Sequence, residues 1–416
     1  MMKRLSFVFL MTCLAGCAMD EASLDTVGST LSSADVEALH QSLLTIDSHI
    51  DIPISLGMPG ADPALKGPMQ VDFPSMREGG LDAGFFIVYV AQGAVSDKGY
   101  QQAYDKAQAK FAAIERMLAN SPDEILLATT VDELLDAQRQ GKLVAAIGVE
   151  NAYSLGKNFE HLDEFYNRGA RYVSFTHFGH NQFGDSSSAK GEIDGHPEPV
   201  SEGLSERGRE LLSALNQRGI MVDVSHTSRQ TTLEAATRSS APIIASHSGV
   251  LALHGHSRNL SDEEILAIAA NDGVIQVVAF DKYMRDIPAL EKAAMFIVML
   301  KNGLMPESFA TATQAELGDF RNDVVWLHQY FPKATVSTLV DHIDYIVQLA
   351  GIDHVGIASD FGGGGGVYGW YDIDQTVAVT RELLERGYSR DQIEKIWGGN
   401  LLRVWRAVEA TAGAGI

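Results

Sequence analysis

Eight short runs rich in Val, Ile and Phe alternate with longer segments of helical periodicity, and no other feature of this chain restricts its fold as much. The runs that predict strands are Leu43 to Ile50, Gly84 to Val90, Leu143 to Val149, Arg171 to Thr176, Ile220 to Val224, Pro242 to Ser246, Val274 to Ala279 and His354 to Ser359. Between them lie segments such as AYDKAQAKFAAIERMLAN, with apolar residues near i, i+3, i+4 and i+7, and SERGRELLSALNQRG, which ends on Gly219 as helices often do. Strands joined through helices pair in parallel, and eight such units predict an α/β chain closed into a (β/α)8 TIM barrel, with an open doubly wound sheet as the alternative. The stretch from about Lys282 to Pro332 is too long for a simple connection. Its patterns LEKAAMFIVMLKNG and DVVWLHQYF predict a helical insertion before the last strand. With 416 residues, 45% of them hydrophobic, the chain can bury such a core.

Polar residues fall where these runs stop. His49 and Asp51 close the first, Glu150 the third, His177 the fourth, His226 the fifth, His247 the sixth and Asp360 the eighth. Taken singly, a strand-end histidine is more often a hydrogen-bonded core or loop residue, and a strand-end acid often caps the next helix. In a parallel barrel, however, all these ends converge on one mouth, where such folds build their sites. Imidazoles mixed with carboxylates suit a borderline metal such as zinc, whereas calcium calls for oxygen ligands almost alone. Spacing leaves one ion or two open. If Glu150 bridges, His49 and Asp51 complete one site while His226 and His247 complete the other, and a water between the ions is hydroxide-like at neutral pH.

The charge balance, 54 acidic against 32 basic residues, opposes a nucleic-acid partner, since phosphate backbones are held by clustered Lys and Arg. The opening MMKRLSFVFLMTCLAGC has two cations and then an apolar core of about ten residues, too short to span a bilayer of roughly 30 Å, so residues 1–16 read as a signal peptide. Leu14-Ala15-Gly16-Cys17 resembles the lipobox of bacterial lipoproteins. That resemblance implies that Cys17 becomes the lipidated first residue and anchors the protein to a membrane of the cell envelope; an ordinary secretory signal is the alternative. Both cysteines lie in this segment, so none remains for an internal disulfide. Residues 17–38 read as a tether and 39–416 as a single hydrolase barrel.

At the polar positions the chain resembles the membrane dipeptidase (renal dipeptidase) family of zinc peptidases. The matching pieces are IDSHID, AAIGVEN, RYVSFTH, GLSERGRELLSALNQRGIMVDVSHTS, IIASHS, HSRNLSDEEI and VDHIDYIVQLAGIDHVGIASDF, in the family's order from about residue 44 to 405. The resemblance implies two zinc ions per chain, with His49 and Asp51 on the first, Glu150 bridging, and His226 and His247 on the second. It further implies that His177 contacts substrate near the scissile carbonyl, that Arg258 pairs with the substrate's terminal carboxylate and that Asp360 is the acid/base. By position alone Arg258 reads as a surface salt bridge. The implied reaction is hydrolysis of small dipeptides with a free C-terminal carboxylate, L-D dipeptides among them. A metal-bridging hydroxide attacks, a donor such as His177 stabilises the oxyanion, and a carboxyl group relays a proton to the leaving amine. A homodimer follows by family analogy alone.

Two departures bear on substrate choice. Typical members continue the last motif as SDFDG, whereas here Phe361 is followed by Gly362 to Gly366, which predicts a flexible loop in place of an ordered turn. The segment DSSSAKGEIDGHPEPVSEG after His177 is also extended. Two other readings compete. An amidohydrolase acting on N-acyl amino acids or lactones usually opens with HxH and uses a bridging lysine, where Asp51 and Glu150 stand here. A non-catalytic, lipid-anchored binding protein need not keep every proposed ligand and Asp360.

Overall fold

The computed structural model describes residues 32–188, 201–305, 308 and 312–412. Cys17, the signal segment and the tether as far as residue 31 lie outside the described residues. No helix among the described residues is long and apolar enough to cross a membrane.

The ten strands are β1 (Ile46–Asp51), β2 (Ala83–Tyr89), β3 (Ile125–Leu127), β4 (Leu143–Glu150), β5 (Ala170–Ser174), β6 (Met221–Asp223), β7 (Ile244–Val250), β8 (Asn259–Leu260), β9 (Val274–Val278) and β10 (Val355–Ala358). Eight of them pair in parallel in the order β1-β2-β4-β5-β6-β7-β9-β10, the barrel the sequence predicts. Just past the strand ends the ring closes on itself: Asp51 N–H donates to Phe361 O at 2.8 Å and Asp360 N–H to His49 O at 3.1 Å. The short β3 pairs with β4 and the two-residue β8 with β7, both off the ring. They carry too few residues to show a pattern in sequence.

Ring strands are covered on both faces, which is why they read as unbroken apolar runs; every residue of β4 is buried. Toward the amino ends, Ile46, Ala83, Met221, Ile244 and Val274 form one cluster with the C-terminal helix Asn400–Thr411, whose Trp405 packs on Phe85 at 5.4 Å. Midway up the barrel the Tyr172 ring lies across Gly148, its ladder partner on β4. A Cβ on Gly148 would meet that ring at 2.1 Å. Gly148→Ala is therefore expected to cost about 1–3 kcal/mol, the range for overpacking a core, read as a lowered midpoint in denaturant.

The helical insertion is present as Asp281–Met284, Ala289–Lys301 and Gln314–Leu327. At its root Arg285 pairs with Asp281 at 2.7 Å and Glu291 at 2.6 Å, and Asp281 also accepts from Ala334 N at 2.6 Å. Arg321 ties it to Asp372, and Lys333 Nζ donates to Gly366 O at 3.1 Å. At the other end of the chain a helix spans the boundary drawn at residue 39. Helix Ser33–Gln41 buries Val36 and His40, whose Nε2 lies 2.8 Å from Gly79 O.

Candidate metal centre

In a regular strand alternate residues face the same side, which would bring Asp47, His49 and Asp51 of β1 together. The ladder is not regular at this point. Register shifts occur between Asp47 and Ile50 in β1 and between Ala245 and Ser248 in β7, so His49 and His247 both sit at irregularities that re-aim a side chain. His247 thus lies inside β7 and not past its end, a correction to the sequence reading. Glu150 ends β4, while His177 and His226 follow β5 and β6 by three residues each. His226 and Asp360 have φ of 68° and 56°, a left-handed conformation that costs energy in non-glycine residues and clusters at functional sites.

The seven residues do converge. Three overlapping groups hold their ligand atoms within 4.8 Å of one another: His49, Glu150 and His247; Glu150, His177 and His226; His49, Asp51 and Asp360. Glu150 is common to the first two. Its Oε2 lies 3.7 Å from His49 Nε2, itself 3.5 Å from Asp51 Oδ2. Its Oε1 faces the other way, 3.1 Å from His226 Nε2, 3.3 Å from His247 Nε2 and 3.9 Å from His177 Nε2. Although surrounded by imidazoles, Oε1 makes no hydrogen bond, and neither does His226 Nδ1.

Electrostatics favour a cation among these atoms. Burial, aided by Arg258 for His226 and by His49 for His247, holds both imidazoles well below their ordinary value. They are therefore neutral at neutral pH, the state in which imidazole binds metal. The two Nε2 atoms stand 2.9 Å apart beside a carboxylate oxygen, a convergence of acceptors. Burial pushes the Glu150 and Asp360 carboxyls up, opposed by His49 and reinforced by Asp51. For His49 burial acts downward, but Glu150, Asp51 and Asp360 prevail and raise it. Nitrogen and carboxylate donors in this mixture fit a borderline divalent metal.

Arg258 is no surface residue: it is 2% exposed, and no carboxylate pairs with it among the described residues. Its Nη2 donates to His247 O at 2.9 Å, its guanidinium stands 5.2 Å from the Tyr283 ring centre, and its Nε makes no hydrogen bond. His177 lies against His226, ring centres 4.2 Å apart, with Nδ1 3.4 Å from Tyr89 Oη. Tyr89 and Tyr283 went unnoticed in the sequence. Tyr89 is the last residue of β2 and obeys the strand-end rule, whereas Tyr283 begins the insertion, where no periodicity marks it.

The glycine run is not a loose loop, contrary to the expectation. Gly362 N–H donates to Gln70 Oε1 at 3.0 Å, Gly365 N–H to Asp360 O at 2.8 Å and Gly366 N–H to Ala279 O at 2.7 Å. A Cβ on Gly363 would stand 2.3 Å from both Asp360 Oδ1 and Asp51 Oδ2, and one on Gly362 2.3 Å from Asp51 O. At Gly362 the obstacle is backbone, and at Gly363 it is the tips of two carboxylates that any side chain would have to displace. Of the extended segment after His177, residues 189–200 lie outside the described residues; its ends meet where Ser201 and Gly203 N–H both donate to Asp185 Oδ2 at 3.1 Å.

Parallel strands whose mouth gathers four imidazoles and three carboxylates in overlapping groups define a metallohydrolase barrel. The model of the membrane dipeptidases, peptidase family M19, matches residues 33–414, and the chain belongs to that family as a metal-dependent dipeptidase. Dipeptidase aclJ of Aspergillus oryzae is 30% identical over 350 residues, 82% of this chain and 71% of that protein. The crystal structure of the probable dipeptidase PvdM from Pseudomonas aeruginosa superposes with a TM-score of 0.78 at 32% identity, covering 91% of this chain and 98% of the other. A metallopeptidase from Rhodobacter sphaeroides, solved with a phosphinate mimic of L-Ala-D-Ala, shares the fold with a TM-score of 0.68 at 20% identity, covering 88% and 99%.

Proposed function

We propose that the protein is a binuclear zinc dipeptidase cleaving small dipeptides with a free C-terminal carboxylate, L-D dipeptides included. The observation that carries this reading is the placement of Glu150, with Oε2 toward His49 and Oε1 toward His226 and His247. Asp51 joins the first set. Two ions held there would supply Lewis acidity at the scissile carbonyl and a hydroxide nucleophile at neutral pH.

The chain's own residues do the remainder. Arg258, buried without a carboxylate partner among the described residues, offers its fork to the substrate's terminal carboxylate. His177, beside Glu150 and His226, donates to the carbonyl oxygen as negative charge develops. Asp360, with its carboxyl raised by burial, holds a proton near neutrality and passes it to the leaving amine.

The test is turnover of a panel of L-L and L-D dipeptides by the zinc-loaded chain beside N-acetyl amino acids. Asp360→Asn is expected to lower kcat by roughly 10²–10⁴-fold, the weight of a general acid/base. Arg258→Met is expected to act on KM, since a hydrogen bond to a charged group is worth about 1.5–3 kcal/mol, or roughly 10–100-fold. Turnover of acyl amino acids with silence on dipeptides would instead assign an N-acyl amidohydrolase. The proposal extends to Cys17 as the acylated anchor in the cell envelope and, by family analogy, to a homodimer. Cys17→Ser would then move the protein from the membrane to the soluble fraction, and the mass in solution would give the assembly.

A further inference from the structure

Beneath the candidate ligands lies a buried polar layer that the reaction does not use. Tyr172 Oη stands 3.1 Å from His49 Nδ1 and 3.1 Å from Ser48 O. Ser246 Oγ stands 2.8 Å from His247 Nδ1 and 2.6 Å from Asp223 Oδ2. All four, Tyr172, Asp223, Ser246 and Ser48, have no solvent exposure.

The donor count fixes the protons. Ser48 O is a carbonyl and only accepts; with the Tyr172 proton donated there, the phenol oxygen is free to accept from His49 Nδ1–H. Asp223 already takes the Ser225 and Ser246 backbone N–H on Oδ1, at 2.9 Å each. The Ser246 hydroxyl donates to Oδ2, which leaves its oxygen to accept from His247 Nδ1–H. In both rings this arrangement would hold a proton on Nδ1 and leave Nε2, the nitrogen on the Glu150 side, for a metal. Each ring is also held in orientation, which matters because His49 and His247 lie with centres only 3.8 Å apart.

We propose that Tyr172 and the Ser246–Asp223 pair are positioning residues that lock the tautomer and tilt of His49 and His247, one on each side of Glu150. This rests on the metal reading above. Partners of this kind contribute about 10–100-fold to metal affinity in metal sites generally. Asp47 has a different part: its Oδ1 accepts His49 N–H and Ser359 N–H at 3.0 Å each, holding backbone and not a ring.

The experiment is zinc titration against a chromophoric chelator, with the visible spectrum of the cobalt-loaded chain, for wild type, Tyr172→Phe, Ser246→Ala and Ser246→Thr. Phe at 172 keeps the ring over Gly148 and beside Phe85, so the metal-free melting temperature should stay within a few degrees. Expected is a loss of about 10–100-fold in affinity for one ion in Tyr172→Phe and in Ser246→Ala, with a changed cobalt spectrum. Ser246→Thr, which keeps the hydroxyl, should bind as wild type. Two ions bound with unchanged affinity and spectra in Tyr172→Phe and Ser246→Ala would overturn the inference while leaving the metal reading intact. A wild-type chain that takes up neither zinc nor cobalt would overturn the metal reading and this inference with it.

Discussion

Glu150→Gln is expected to abolish dipeptide hydrolysis while leaving the barrel folded. The substitution keeps the shape of the side chain but removes the only carboxylate among the described residues that faces both sets of imidazoles, at 3.7 Å from His49 and 3.1 and 3.3 Å from His226 and His247. Metal catalysis of this type supplies several kcal/mol, and about 1.4 kcal/mol is a factor of ten in rate, so the loss should reach at least roughly 10³-fold. Zinc content by elemental analysis should fall together with activity. Metal-free stability should not fall, because the burial that pushes the Glu150 carboxyl up is a cost that a neutral amide relieves. Normal zinc content and turnover in this variant would remove the central acid from the mechanism.

The second large effect is expected at a residue with no side chain. Gly363→Ala would put a methyl group 2.3 Å from Asp360 Oδ1 and from Asp51 Oδ2. Both obstacles are tips of short side chains, which can swing aside, so the fold survives and the geometry of the two acids does not. A misplacement of about 1 Å at reacting groups can cost 10²-fold, and a kcat loss of that order is the expected result, with the thermal midpoint within a few degrees of wild type. Gly365→Ala provides the contrast. There the added methyl meets the backbone oxygen of Ser359 at 1.9 Å, which cannot swing aside, and stability itself should drop. Equal activity of Gly363→Ala and wild type would mean that the carboxylates do not need their present positions.

These glycines also show where sequence reasoning reaches its limit. A run of five reads as freedom because glycine permits positive φ, and Gly362, Gly364 and Gly366 do adopt it. What the run supplies is closeness: the chain folds back onto Asp51 and Asp360 so tightly that a Cβ at Gly362 would meet backbone and one at Gly363 would displace both carboxylates, a three-dimensional fact with no local signature. The barrel was legible because strands covered on both faces leave unbroken apolar runs, and most of the candidate ligands because they stop those runs. Tyr172 was not, since an aromatic within a strand reads as core, and only the ladder shows its hydroxyl under His49. Arg258 misled for a related reason: the Tyr283 ring that stands 5.2 Å from its guanidinium is contributed by the insertion.

The seam where the barrel closes has a consequence for how the molecule is made. The first and last strands of the ring are joined through residues of the candidate metal centre, Asp360 N–H to His49 O and Asp51 N–H to Phe361 O, across some three hundred residues of chain. Contacts so distant in sequence pay loop-closure entropy before any return, and they form late. A nascent chain shorter than the glycine run therefore has His49 and Asp51 without Asp360 and without the turn that holds them. The mouth of the barrel is thus assembled only after the glycine run has been delivered, and a chain cut before it lacks the seam that holds His49 and Asp51.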